Sequence, residues 1–150
     1  MTAEFTLSLD EYERNDTATG DFLNFRAAVS CRGFTGQTAF WVARRDIDAF
    51  IVDLAALGHG GSDCAQLLGG WEEAEERLRL RIMNAGRSGQ FSSHVRIAST
   101  GPRQDQWNRV ETDFICPPDG LSEFLAGLRR LVDQRARGDA VLAGDPEAIA

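Results

Sequence analysis

Apolar and polar positions alternate with a period of two through most of the chain, and twice that period lengthens to a helical one. Phe5, Leu7 and Leu9 share one side of residues 5–9, which predicts a strand with one buried face. Residues 10–21 are polar and acidic and read as a loop. Over 22–32, Leu23, Phe25, Ala27, Val29 and Cys31 oppose Asn24, Arg26, Ser30 and Arg32, and Gly33 marks a turn. A third strand, 34–42, points Thr38, Phe40 and Val42 inward and Trp41 the other way. Ile47, Phe50, Ile51, Leu54 and Leu57 then form the stripe of an amphipathic helix. Asp46 and Asp48 sit in its first turn, where carboxylates meet open N–H groups, and Gly58-His59-Gly60-Gly61 stops it.

The second half follows the same plan. A short strand covers about 63–69, and in 77–83 Leu78, Leu80 and Ile82 alternate with Arg77, Arg79 and Arg81. Residues 84–89 read as a hairpin loop. The strand at 90–98 carries Phe91, Val95 and Ile97 on one face, with His94 and Arg96 on the other. A polar loop at 99–106 leads to a strand at 107–116 with Val110, Thr112 and Phe114 inward. Pro117-Pro118-Asp119-Gly120 opens a helix with Asp119 as its expected N-cap, and Leu121, Phe124, Leu125, Leu128 and Leu131 form its stripe.

The two helices superpose at an offset of 74 residues: Ile47 falls on Leu121, Phe50 on Phe124, Leu54 on Leu128, and in the preceding strands Phe40 falls on Phe114. Duplication of a β-β-β-α unit and convergent patterning both account for this. The fold class expected is α+β, an antiparallel sheet of six or seven strands covered by two amphipathic helices. Residues 1–137 are expected to form a single domain and 138–150, which lack a clear period, a flexible C-terminal tail.

A chain of 150 residues suits one domain with enough core to fold without disulfides or metal. No apolar run approaches the roughly 20 residues of a membrane helix, and the N-terminus lacks the basic-then-apolar order of a signal peptide. The expectation is a soluble cytoplasmic protein. Its sixteen basic residues are all Arg, and 23 acidic residues leave a net charge of −7. That balance argues against nucleic acid and anionic membranes as partners. It suits a basic protein partner, and it equally suits simple solubility. Cys31, Cys64 and Cys116 are widely spaced, and His59 near Cys64 has no second pair of ligands to join it, so they read as free thiols and not as a metal site. No cofactor is expected.

Two clusters carry chemistry. Arg77, Arg79 and Arg81, with His94 and Arg96, could form an anion site in a small ligand-binding or hydrolase domain. Arg109, Glu111 and Asp113 offer the competing reading of a solvated, salt-bridged face. His94 has no nucleophile or orienting partner at a recognisable spacing, and the acidic run Glu72, Glu73, Glu75 and Glu76 lacks a calcium-loop pattern. The second cluster lies in the first 25 residues, where six carboxylates against Arg14 give −5. There Asp10, Glu11, Tyr12, Glu13 and Asp16 place an aromatic inside an acidic run, a candidate surface for binding a protein. An ordinary polar loop is the alternative.

The segment Gly33-Phe34, Trp41-Val42, Asp46-Ile47 and Phe50, followed by Leu78–Ile82, Val95–Ile97, Phe114 and Leu121–Leu131, resembles the WapI-type immunity family of bacterial polymorphic toxin systems. The likeness spans about residues 5–133 and consists mainly of core patterning. The acidic insert at 72–76 and the residues beyond 138 fall outside it. The resemblance implies a non-enzymatic protein that neutralises a toxin domain by binding, with no catalytic residues to carry over. A basic toxin domain, such as a nuclease, is the partner that this chain's charge would suit.

Overall fold

The computed structural model describes residues 2–16, 20–70, 76–85, 89–100 and 107–146. The elements are β1 (Ala3–Glu13), β2 (Phe22–Cys31), β3 (Phe34–Ala43), α1 (Arg44–Gly58), β4 (Cys64–Gly70), β5 (Glu76–Asn84), β6 (Phe91–Thr100), β7 (Trp107–Cys116), α2 (Pro118–Gln134) and β8 (Asp139–Gly144). They form an α+β fold with one antiparallel sheet in the order β7-β6-β5-β4-β3-β2-β1-β8. The expected elements in 72–75, 86–88, 101–106 and 147–150 lie outside the described residues.

The sheet has eight strands, not six or seven. The extra strand corrects the expected tail: Asp139–Gly144 pairs with β1 from Ser8↔Asp139 to Ala3↔Gly144, and Ala140 and Leu142 are fully buried. Two inward positions, one of them only Ala, are too few to set a period. The partner strand lies at the other end of the chain.

A second correction concerns β1, which continues through the supposed loop to Glu13. The pairing with β2 slips between Leu9 and Glu11, so Leu9 faces Phe25 and Tyr12 faces Leu23. This bulge inserts one residue and resets the alternation, so Tyr12 turns to the side of Leu9 and packs against the core. Helix α2 also begins earlier than expected. Pro117 is its N-cap, and Asp119 lies in the first turn, where it meets the helix dipole but does not cap.

The sheet curls until its two ends meet. Ile115 of β7 and Asp145 exchange backbone hydrogen bonds, 3.2 Å from the Ile115 amide and 2.8 Å from the Asp145 amide. Curling follows from strand twist and from an inner face that is mostly apolar, with Thr38 and Ser93 among its buried polar groups. Helix α1 packs against β3, β4 and β5, α2 against β8 and β1, and the helices touch each other. Phe40, Phe50, Leu54, Leu80, Phe114, Phe124 and Leu128 are buried in a single core. Phe5 meets Phe124 edge to face with centroids 6.2 Å apart, and Phe25 stacks on Phe40 at 5.7 Å.

The registers of the two halves correspond. Inward rungs across β1, β2 and β3 read Phe5–Val29–Gly36 and Leu7–Ala27–Thr38. Across β5, β6 and β7 they read Leu78–Ile97–Val110 and Leu80–Val95–Thr112. Each half then enters a helix and ends in a strand that pairs with the first strand of the other half, β4 with β5 and β8 with β1. β4 meets β3 at the single pair Trp41↔Gly70, and Asp145, just past the end of β8, meets β7 at Ile115. Gly36 and Val110 hold equivalent places and touch: a Cβ on Gly36 would stand 2.9 Å from Val110 Cγ2. Contact between equivalent positions is what an approximate two-fold axis produces.

Candidate functional site

The acidic cluster of the sequence falls at the far end of β1. Because β1 is paired with β2 up to Glu13↔Phe22, Glu11 and Glu13 project from a hydrogen-bonded ladder. Both are exposed, as is Asp16, and none of the three makes an ion pair among the described residues. Asp10 differs: its carboxylate stands 3.3 Å from Arg26 on the neighbouring strand.

Tyr12 is not the exposed anchor that the sequence suggests. Its hydroxyl donates to Asp21 Oδ2 at 2.6 Å and accepts from Arg44 Nη1 at 3.1 Å. The Arg135 guanidinium lies over its ring, 3.9 Å from the centroid. Arg44, at the start of α1, also reaches Asp48 at 3.0 Å and Asp133 of α2 at 2.9 Å. One half-buried tyrosine thus ties together the end of β1, the start of α1 and the end of α2. The Tyr12 hydroxyl, and then the Asn15 amide at 3.0 Å, hold the Asp21 carboxyl below its ordinary value. Sequence reasoning missed Asp21, Arg44 and Arg135 as partners of Tyr12, because the bulge that turns Tyr12 inward is a property of pairing and leaves no mark on spacing.

On the Arg/His face, β6 lies between the arginine ladder of β5 and the carboxylates of β7, so Glu111 and Asp113 meet His94 and not Arg77, Arg79 or Arg81. Arg81 stands across from His94, and Arg79 from Arg96. Each described contact is internal. Arg79 donates to Glu76 at 3.0 Å, and Arg81 donates twice to Gln66 Oε1, at 3.0 and 2.8 Å. His94 is clamped, with Nδ1 2.7 Å from Asp113 and Nε2 2.9 Å from Glu111. Both ring nitrogens are thus held by carboxylates of β7. Among the described residues, opposite charges meet across these strands at His94 and the two β7 carboxylates, whereas Arg79 pairs along its own strand and stands across from Arg96.

Cys31, Cys64 and Cys116 are free thiols. Cys116 lies 3.1 Å from the Ser93 hydroxyl in the core, and burial pushes its thiol up to about 11. No cluster of three metal-ligating side chains occurs among the described residues, and no helix among them is long and apolar enough to cross a membrane.

Two of the concave features carry groups that could hold a partner. A cleft of about 520 Å³ near the β2–β3 turn offers Glu4, Thr6, Ser30, Gln37 and Asn108, a set of hydrogen-bonding groups with one carboxylate. A groove of about 350 Å³ lies between α1 and β4, with Asp46 and Asp53 on one wall and Leu68 on the other. No protein-family model, no curated protein and no solved structure matches this chain.

Proposed function

We propose that this chain is a non-enzymatic binding protein, an immunity protein of the WapI type that neutralises a toxin domain in the bacterial cytoplasm by binding it. The observation that carries the reading is the fixed acidic end of β1. Glu11 and Glu13 stand on a paired strand, and Tyr12 between them is locked from below by Asp21, Arg44 and Arg135. A preorganised acidic surface spares the complex an ordering cost, and it steers a basic partner during encounter. The Arg/His face gives the rival ligand-binding or hydrolase reading less support, since its described contacts are spent within the sheet. The corresponding registers of the two halves further support an origin by duplication of one unit.

The test is co-expression with the toxin domain encoded beside this gene. Rescue of growth, and co-elution of the two proteins in a stable complex, are expected. Continued toxicity with both proteins folded and expressed would refute the proposal.

A further inference from the structure

We propose that the edge of β4 beyond the end of β3 is a docking site for an extended, basic peptide segment of a partner protein, added as a further strand beside α1. The inference rests on the binding-protein reading only for the partner being a protein.

The backbone supplies the first argument. β4 is paired with β5 from Cys64 to Gly70, but it meets β3 at the single pair Trp41↔Gly70. The chain leaves β3 at Ala43 and turns into α1, so Ala65–Gly69 run on without a strand on that side. Along an antiparallel strand, alternate residues turn their N–H and C=O groups to opposite neighbours. About half of the backbone groups of this stretch therefore face away from β5, as a template for another strand. The stretch ends where the Ser62 hydroxyl donates to the Cys64 carbonyl at 3.1 Å.

The groove beside this edge supplies the second argument. Phe50 and Leu67 are its buried floor, and Leu68 on its rim is 46% exposed, one of few large apolar side chains facing solvent. The opposite wall carries Asp46 and Asp53, which lie on one side of α1 two turns apart. An apolar rim facing two carboxylates fits a strand whose side chains alternate between aliphatic and cationic.

Charge selects the occupant. Self-pairing through β4 would bring Asp46 and Asp53 of two copies together, and like charges oppose it. The related groove between α2 and β8 provides an internal comparison. It has Val141 at the rim, but its walls mix Glu123 and Asp139 with Arg130. Two carboxylates line the first groove with no cation among the described residues of its walls, whereas Arg130 offsets one of the two carboxylates in the second, so a basic segment is attracted more strongly by the first.

The experiment uses the full chain and two blocked octapeptides, one alternating Arg with Val and one alternating Glu with Val. Affinity is read by titration calorimetry and the site by amide hydrogen exchange. The basic peptide is expected to bind and to slow exchange within Ala65–Gly69, and the acidic one to bind at least about tenfold more weakly. D46N/D53N should weaken the basic peptide by about tenfold, and L68K, at a position already exposed, should abolish the protection with the fold intact by circular dichroism. Equal affinity for both peptides, no binding, protection only elsewhere, or self-association of the free chain that L68K removes would each overturn the proposal. The two readings fail separately. A toxin complex indifferent to L68K would remove the β4 site and leave the binding-protein reading. Protection of β4 by the peptide without toxin rescue would do the reverse.

Discussion

The Tyr12 hydroxyl donates to the Asp21 carboxylate across 2.6 Å and so joins the end of β1 to the residue just before β2. That bond favours the ionised carboxylate, and Asp21 accordingly titrates below its ordinary value of 3.8. A carboxyl lowered in the folded state contributes stability above its unfolded value and loses it as pH falls through the folded value. Tyr12→Phe should therefore lower stability at neutral pH and flatten the loss of stability below about pH 4. Urea unfolding of both proteins from about pH 6 to about pH 2 checks this, with parallel curves as the contrary result.

Where the third and fourth strands of each half touch, an aromatic ring occupies the space of a missing Cβ. A Cβ on Gly69 would fall within the Phe40 ring, and one on Gly144 would lie 2.7 Å from Phe114 Cδ2 and closer still to the Ile115 carbonyl oxygen. Gly69→Ala and Gly144→Ala should each destabilise by about 1–3 kcal/mol, because the rings and the neighbouring backbone must move to admit one methyl group. Chemical denaturation of the two variants measures the cost.

Phe124 is fully buried and packs edge to face on Phe5, so it joins α2 to β1. Phe124→Ala should cost about 3–5 kcal/mol, the loss expected for a large aromatic whose site cannot collapse. Val52, on the exposed side of α1, serves as the control, and Val52→Ala should leave the midpoint nearly unchanged.

The three thiols should separate by reactivity. Cys64 is half-buried at the start of β4, whereas Cys31 and Cys116 are buried and the Cys116 thiol sits at about 11. At neutral pH an alkylating reagent should label Cys64 first and leave Cys116 unlabelled until the protein unfolds, because the thiolate is the nucleophile. Mass spectrometry of the native and denatured protein reads the order.

The sheet and both helices were legible because their residues repeat. Phe40, Phe50, Phe114 and Phe124 sit at matched positions on strands and helices, and all four are in the core. Strand β8 was not legible. Its Ala-Val-Leu-Ala centre is short and half of it is Ala, which strands disfavour, and its place is set by pairing with residues at the opposite end of the chain. The acidic cluster was legible as composition and misread as geometry. The sequence places Asp10 and Tyr12 in a charged run, but only the bulge and the neighbouring strand show Asp10 paired with Arg26 and Tyr12 turned inward. The groove beside β4 left no sequence signal, since it arises from the early departure of the chain from β3 into α1.

The most direct test of the central claim is the association rate of this chain with the toxin domain proposed as its partner, measured by stopped-flow at several salt concentrations. The comparison is between the native chain and the variant Glu11→Arg, Glu13→Arg, Asp16→Arg, which spares Asp10 and Tyr12 and so leaves their internal contacts in place. The account predicts that the native rate falls as salt rises, because exposed charges are screened beyond about 8 Å at physiological ionic strength. It also predicts that charge reversal slows association by about tenfold or more with the fold unchanged. A rate that is the same in both proteins and at every salt concentration would contradict the claim that the acidic end of β1 receives the partner.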